Sequence, residues 1–268
     1  PVADADLTAH YLERAAYAAS QGIAGSSAGG EFPKFTTRRA GSGTPATPHV
    51  IVKFSGIAEG PATQRWPDLL VCEHLALMHA GSLPGVTTPF TRVLQAGGRT
   101  FLESERFDRT GEHGRRALVS LQAASGHLLG LPAHDWPTHA AALARAAWLS
   151  EAEALAVQRL WWFGRLIANT DMHQGNLAFF CDAGRFSLAP AFDMLPMAYA
   201  PLAGGEVPPP QAWQAAMPTP SQHDAWRQAA QAALGFWLSA AGDARISPPM
   251  RAVCETNAGL LQRAMHSL

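Results

Sequence analysis

The sequence is poor in cysteine, nearly free of net charge and without a long apolar run. Its three cysteines, Cys72, Cys181 and Cys254, are scattered and odd in number, so they suggest neither a disulfide framework nor a zinc pattern and fit a reducing, cytoplasmic setting. A formal charge of −1 over 268 residues gives no electrostatic case for direct nucleic-acid binding. No uninterrupted apolar stretch is long enough to span a bilayer, which argues against a membrane protein. The opening PVADADLTAHYLERAAY carries charges throughout, unlike a secretory signal. Internal repeats and low-complexity tails are also missing. The chain starts at Pro1 without a Met, from which an excised or processed fragment is expected. What remains is an ordinary globular composition, 47% hydrophobic, with length for one large domain or two lobes.

The first half reads as strands with one or two helices. Leu7 to Ser20 has helical spacing, with Leu7, Tyr11, Leu12 and Ala15 on one side. GIAGSSAGGEFPKF follows as a Gly/Ser-rich loop with an apolar and basic end. HVIVKF, His49 to Phe54, is a strand with a lysine near its end. Asp68 to His79 is a helix with Glu73 in its middle. Thr87 to Leu94 and Arg99 to Ser104 are two strands joined by the QAGG turn. Loop, strand with Lys, helix with Glu, then two strands is the order of a kinase small lobe. The second half is mainly helical, over Ala117 to Leu129, Ala140 to Leu149, Glu153 to Ala168, Ser221 to Ala240 and Ser247 to His266. Trp161, Trp162 and Phe163 read as core packing. PLAGGEVPPPQAW is a surface loop.

The chemistry is concentrated in NTDMHQGNLAFF, Asn169 to Phe180, and in APAFDML around Asp193. Asp171, His173 and Asn176 share a tight loop. Leu177 to Phe180 and Phe186 to Leu188 form a hairpin that returns Asp193 to the same end as Asn176. That is a phosphotransferase layout, with a carboxylate for the acceptor hydroxyl and an Asn and Asp for a divalent metal. Bland readings exist for each residue. Lys53 could be a solvated edge lysine, Glu73 a surface charge, and the Gly29-Gly30 pair a flexible turn. The functional reading of those glycines is that backbone N–H groups approach phosphate oxygens. Arg106, Asp108 and Arg109 read as a structural ion cluster, and His173 as a brace of its own loop. The pair His134 and His139 lacks company for a metal.

SSAGGEFPKF, HVIVKFS, ESERFDR, NTDMHQGN and APAFD, in that order, resemble the HipA-like kinases, the toxin kinases of bacterial toxin–antitoxin systems. The resemblance covers about Ser26 to Asp193. It implies an α+β, divergent two-lobed protein-kinase-like fold, with a small mixed β/α lobe over 1–106 and a larger, mainly helical lobe over 107–268. It implies an ATP-dependent serine/threonine protein kinase using Mg²⁺. By resemblance, Asp171 is the catalytic aspartate and Asn176 and Asp193 are the metal ligands. Ser27, Gly29, Gly30, Lys34, Lys53 and the backbone at Glu105 to Phe107 meet ATP, and Glu73 is the helix carboxylate beside Lys53. Ser27, or its neighbour Ser26, is the autophosphorylated residue.

The chain lacks the G-x-G-x-x-G loop and H-R-D triplet of ordinary protein kinases, as the family generally does. It also seats its phosphate loop early, so the family's additional N-terminal region is expected to be absent. A protein substrate is implied, an aminoacyl-tRNA synthetase or another translation protein, with a helix-turn-helix antitoxin as separate partner or upstream fused domain. The rival readings are a small-molecule phosphotransferase of the aminoglycoside or choline type and a catalytically silent kinase-fold module.

Overall fold

The strand HVIVKF alternates half-buried and buried side chains along its six residues, the signature of a strand with one covered face. In the computed structural model it is β2 (His49–Phe54) of an antiparallel sheet ordered β1-β2-β4-β3. The other strands are β1 (Lys34–Arg38), β3 (Thr91–Ala96) and β4 (Arg99–Glu105). The structure describes residues 1–20, 32–40, 47–130, 135–182, 184–202, 205–207 and 213–268, with the side chains at 61 and 62 excepted. Ser26, Ser27, Gly29, Gly30 and His134 therefore lie outside the described residues.

Helix α1 (Leu7–Ser20) covers one face of this sheet. Leu7, Tyr11, Ala15 and Ala18 pack on Phe35, Val50, Val52, Phe54 and Phe101. Helix α2 (Pro61–Ala80) covers the other, where Trp66, Leu69 and Leu70 meet Phe32 and Leu102. The register sets Lys34 opposite Lys53 and Lys53 opposite Leu102, so both lysines stand at one end of the sheet.

The large lobe contains the short pair β5 (Arg109–Thr110) and β6 (Gly114–Arg115), then β7 (Leu118–Ser120), α3 (Leu121–Leu128), α4 (Trp136–Arg145) and α5 (Glu151–Leu166). The hairpin β8 (Ala178–Asp182) and β9 (Arg185–Leu188) follows, and α6 (His223–Gly242) and α7 (Pro248–His266) close the chain. Helices α4 to α7 and α2 share the largest core, around Trp136, Phe163, Trp226, Phe236 and Trp237. Asp68 on α2 is fully buried and ties the lobes together by accepting from Ser247 N at 2.8 Å and Ser247 Oγ at 2.6 Å. Burial pushes its carboxyl up, against the pull of Ser247. No helix among the described residues is long and apolar enough to cross a membrane.

Several expected boundaries move. Helix α2 begins at Pro61, well before Asp68, because Pro67 is tolerated inside it at the loss of one ladder hydrogen bond. The strand expected over Thr87 to Leu94 starts only at Thr91, since the Thr87 carbonyl is taken by Ala191 N, 2.8 Å away. The helix expected over Ala117 to Leu129 is a strand as far as Ser120, paired with β8; Ser120 then caps α3 by accepting from Ala123 N. The helix expected over Ala140 to Leu149 stops at Arg145. Nothing in AALARAAWL breaks a helix, but Ala147 turns left-handed so that Trp148 can stack on Phe186. Two of the three scattered cysteines, Cys72 on α2 and Cys254 on α7, share the interior of the largest core.

The small-lobe sheet is pinned by one buried carboxylate. Glu103 on β4 is 1% exposed. It accepts from Arg39 at 3.0 Å, from Arg92 at 3.0 Å and from Tyr11 Oη, while Arg39 also meets Asp4 at 3.0 Å. Removing one partner of such a group leaves the others desolvated and unpaired, which costs about 3–5 kcal/mol. Glu103→Ala is accordingly predicted to lower the unfolding free energy by about that amount in urea denaturation. A loss below about 1 kcal/mol would mean that the ion cluster contributes no more than an ordinary substitution site.

Candidate active site

Lys53 is where the lobes meet. The alternation of β2 turns its side chain away from α1 and toward α2. There Nζ donates to both Glu73 oxygens, at 2.7 and 2.9 Å, and to Asp193 Oδ1. Burial alone would lower the lysine's pKa, but the two carboxylates hold it above its ordinary value. Burial raises the Glu73 carboxyl; the nearby Asp193 charge adds to this and Lys53 opposes it, and the group stays raised. Asp193 is also pushed up by burial, yet the charge and hydrogen bond of Lys53 outweigh this and hold it low. Asp193 has φ +53°, a left-handed conformation that Asp tolerates better than most side chains.

The loop from Asn169 to Asn176 is fixed by the end of α5. Ala168 is left-handed at φ +58°, and Asn169 N reaches back to the Gly164 carbonyl at 2.9 Å, which stops the helix abruptly. Trp237 Nε1 holds the Leu166 carbonyl at 3.0 Å, and Trp136 Nε1 holds that of His173 at 3.1 Å. A Cβ at Gly164 would run into the end of the Met172 side chain and crowd that of Met194, so the glycine leaves room for Met172 of the loop against the helix.

Asn169 links the two acidic groups. Its Oδ1 accepts from Asp171 N at 3.0 Å, and its Nδ2 donates to the Asp193 carbonyl at 3.2 Å. Asn176 Nδ2 donates to the Asp171 carbonyl at 2.8 Å. His173 Nδ1 accepts from Gly175 N at 3.0 Å, and its Nε2 lies 3.8 Å from Asp171 Oδ1. The ring therefore braces its own loop.

A cavity of about 380 Å³ opens beside Lys53. Ile51, Leu77, Leu102, Phe107 and Phe192 form its apolar walls, and Lys34, Lys53, Glu73 and Asp193 its charged wall. At its far side β4 runs out as Glu105, Arg106 and Phe107. The Glu105 and Arg106 amides are taken by Phe90 O and His49 O, at 2.9 and 3.0 Å. Arg106 holds Asp108 at 2.6 Å, with Arg109 3.5 Å from the same carboxylate. That is an ion cluster, and its first two members also line the cavity.

Lys34, Lys53, Glu73, Glu105, Phe107 and Asp193 thus share one cavity. Asp171 lines a second one. Asn176 joins Asp171 through its amide. Two residues were not foreseen. Asn169 was legible in principle, because an Asn two residues before an Asp is an Asx-turn signature. Phe192 had no sequence signal; it faces Phe107 across 5.9 Å.

The profile of the HipA-like C-terminal domain family matches residues 26–259. The chain belongs to this family. It is 37% identical over 255 residues to the Toxin YjjJ of Escherichia coli (strain K12), a match covering 94% of this chain and 56% of that protein. The HipA-like chain thus spans little more than half of that relative's length. Among solved structures it is similar to the Shewanella oneidensis MR-1 toxin–antitoxin system of HipA, HipB and operator DNA. The TM-score is 0.50 and the identity 16%, over 81% of this chain and 58% of that one. It is also similar to the Helicobacter pylori proinflammatory kinase CtkA, with TM-score 0.50 and 12% identity over 82% and 86% of the two chains. At such identities the likeness is one of fold, a divergent two-lobed kinase fold.

The Lys53 cluster predicts a pH signature. In Lys53→Met, Glu73 and Asp193 lose their cation, and both folded-state carboxyls rise. The folded variant then binds protons that the unfolded chain does not, so its stability climbs as pH falls from 7 toward 5. In the wild type the depressed Asp193 contributes stability above its unfolded pKa and loses it only below about pH 4. The variant should therefore be less stable by about 3 kcal/mol at pH 7, with the deficit shrinking at pH 5. A deficit independent of pH in parallel urea titrations would contradict the assigned charges.

Proposed function

We propose that this chain is the kinase part of a HipA-like toxin, an ATP-dependent serine/threonine protein kinase. The observation that carries the reading is the connection of Lys53, Glu73, Asp193 and Asp171, with Asn169 bonded to the last two. In this reading the lobe boundary falls between 106 and 107 and the protein works in the cytoplasm. The adenine lies between Phe107, Ile51 and Leu102, and Lys53 and Lys34 hold the phosphates.

The donor types of Asn176 and Asp193 suit Mg²⁺. Asn176 spends its amide nitrogen on the loop, which leaves a hard amide oxygen, and Asp193 supplies a carboxylate. When bound, the cation neutralises charge along the phosphates. Asp171 orients the acceptor hydroxyl and takes its proton late; its own position is set through Asn169 and Asn176. Most of the catalysis is then alignment and electrostatics. A helix-turn-helix partner, separate or in an upstream domain, is proposed from the HipA–HipB assembly of the Shewanella protein. A translation protein such as an aminoacyl-tRNA synthetase is the proposed substrate.

Transfer from labelled ATP tests these roles. Asp171→Asn should keep nucleotide binding while lowering turnover by roughly 10²–10⁴, and Asp193→Asn should abolish transfer. Overproduced wild type should slow bacterial growth and the Asp171 variant should not. Unchanged turnover in either variant would falsify the assignment, and labelling of an added small alcohol in place of protein would favour a small-molecule phosphotransferase.

Self-phosphorylation of Ser27, or of Ser26, would add about −1.5 to −2 charges beside the ATP phosphates and weaken ATP binding. Mass spectrometry after incubation with ATP should find phosphate on one of these serines in protein that has lost activity. Its absence from both, in protein that transfers phosphate to other acceptors, would remove this mode of regulation.

A further inference from the structure

Asp171 and Lys53 line different cavities. Among the described residues the Lys53 cavity has no wall residue in common with the one that Asp171 lines, a space of about 550 Å³. The second cavity is bounded by the last turns of α5, the loop after it and the segment at Trp213. Asp171, whose side chain is 52% exposed, is the one carboxylate on its wall among the described residues.

The rest of that wall has a definite character. Trp161 presents a half-buried ring that packs on Trp136 at 5.7 Å. Trp213 presents another, which packs on Trp237 at 6.1 Å. Each indole is thus held from behind and offers its remaining surface to the cavity. Arg165 lies between helix and loop, its guanidinium 5.9 Å from the Trp161 ring centre. It is exposed, and no ion pair joins it to a carboxylate among the described residues. A cation suits the last turn of any helix. Here that cation also lies over the Trp161 ring and lines the cavity of Asp171.

We propose that this cavity is the acceptor site, and that it selects a polypeptide segment whose hydroxyl residue is flanked by acidic and apolar side chains. The proposal rests on the kinase reading for the role of Asp171. Arg165 attracts the flanking carboxylate, the tryptophan faces take the apolar neighbour, and the hydroxyl reaches Asp171. A basic flank would meet Arg165 with like charge, and like charges placed together select against a partner. A nucleic-acid strand fits less well. It would bring successive phosphates past Asp171 on a chain of net charge −1, without the basic stripe that such a strand needs.

Direct binding tests this without any phosphate transfer. Two fluorescent peptides of one length carry a single serine beside a leucine, one with glutamates around it and the other with lysines. Anisotropy titrations use the whole chain, Arg165→Lys and Arg165→Glu, with a fluorescent single-stranded oligonucleotide as a further probe. The glutamate peptide should bind the wild type ~5-fold more tightly than the lysine peptide, the scale of one solvent-exposed ion pair. Arg165→Lys should retain the preference and Arg165→Glu should reverse it, with a small drop in melting temperature for Arg165→Glu alone, since an acidic group then replaces a cation at the last turn of α5. Equal binding of the two peptides, a preference that survives Arg165→Glu, or tighter binding of the oligonucleotide than of either peptide overturns the proposal. A charge preference without transfer from ATP would instead count against the kinase reading alone.

Discussion

The candidate site depends on one cation held between two carboxylates from different parts of the chain. Lys53 comes from a strand of the small lobe, Glu73 from the helix that packs under it, and Asp193 from beyond the β8–β9 hairpin. Two carboxylates desolvated together would repel and take up protons. The lysine between them holds the Asp193 carboxyl below its ordinary range and opposes the rise that burial imposes on Glu73. The same contacts fix the approach of the lobes, so the width of the cleft and the charge of its inner wall are set by one group. Asp68 and Ser247 reinforce this arrangement farther along α2, tying the helix that carries Glu73 to the start of α7.

The loop of Asp171 is rigid for a different reason. Its backbone groups are held by Trp136 from outside and by Asn169, His173 and Asn176 from within, while Trp237 holds the end of α5 that leads into it. A loop held this way loses little freedom when it meets a ligand, which is the condition for alignment to contribute to rate. Asn169 also couples this loop to the backbone of Asp193. One amide side chain thus joins the backbone of both segments.

Much of this was legible in the sequence where local pattern and tertiary need agree. The strand His49–Phe54 and the helix Leu7–Ser20 have the expected bounds, because alternation and helical spacing there coincide with burial. Asp171 and Asn176 fall in one loop and Glu73 lies beside Lys53, as expected, whereas the contact of Lys53 with Asp193 was not foreseen. What was not legible depended on distant partners. Ala117 to Ser120 has helical composition, but β8 supplies ladder bonds only in strand form. The early end of α4 follows from a ring contact between Trp148 and Phe186, which no local window contains. The shared burial of Cys72 and Cys254 and the separation of the Asp171 cavity from the Lys53 cavity likewise arise only when the helices pack.

Nucleotide binding through the phosphates is the property proposed for the Lys53 cleft on which its other proposed roles depend. Isothermal titration calorimetry of the wild-type chain with ATP, in Mg²⁺ and again in chelator, tests it most directly. The account predicts one site, saturable in Mg²⁺, weakened in chelator and weaker still for adenosine. Absence of binding, or equal affinity for ATP and adenosine regardless of Mg²⁺, would contradict it.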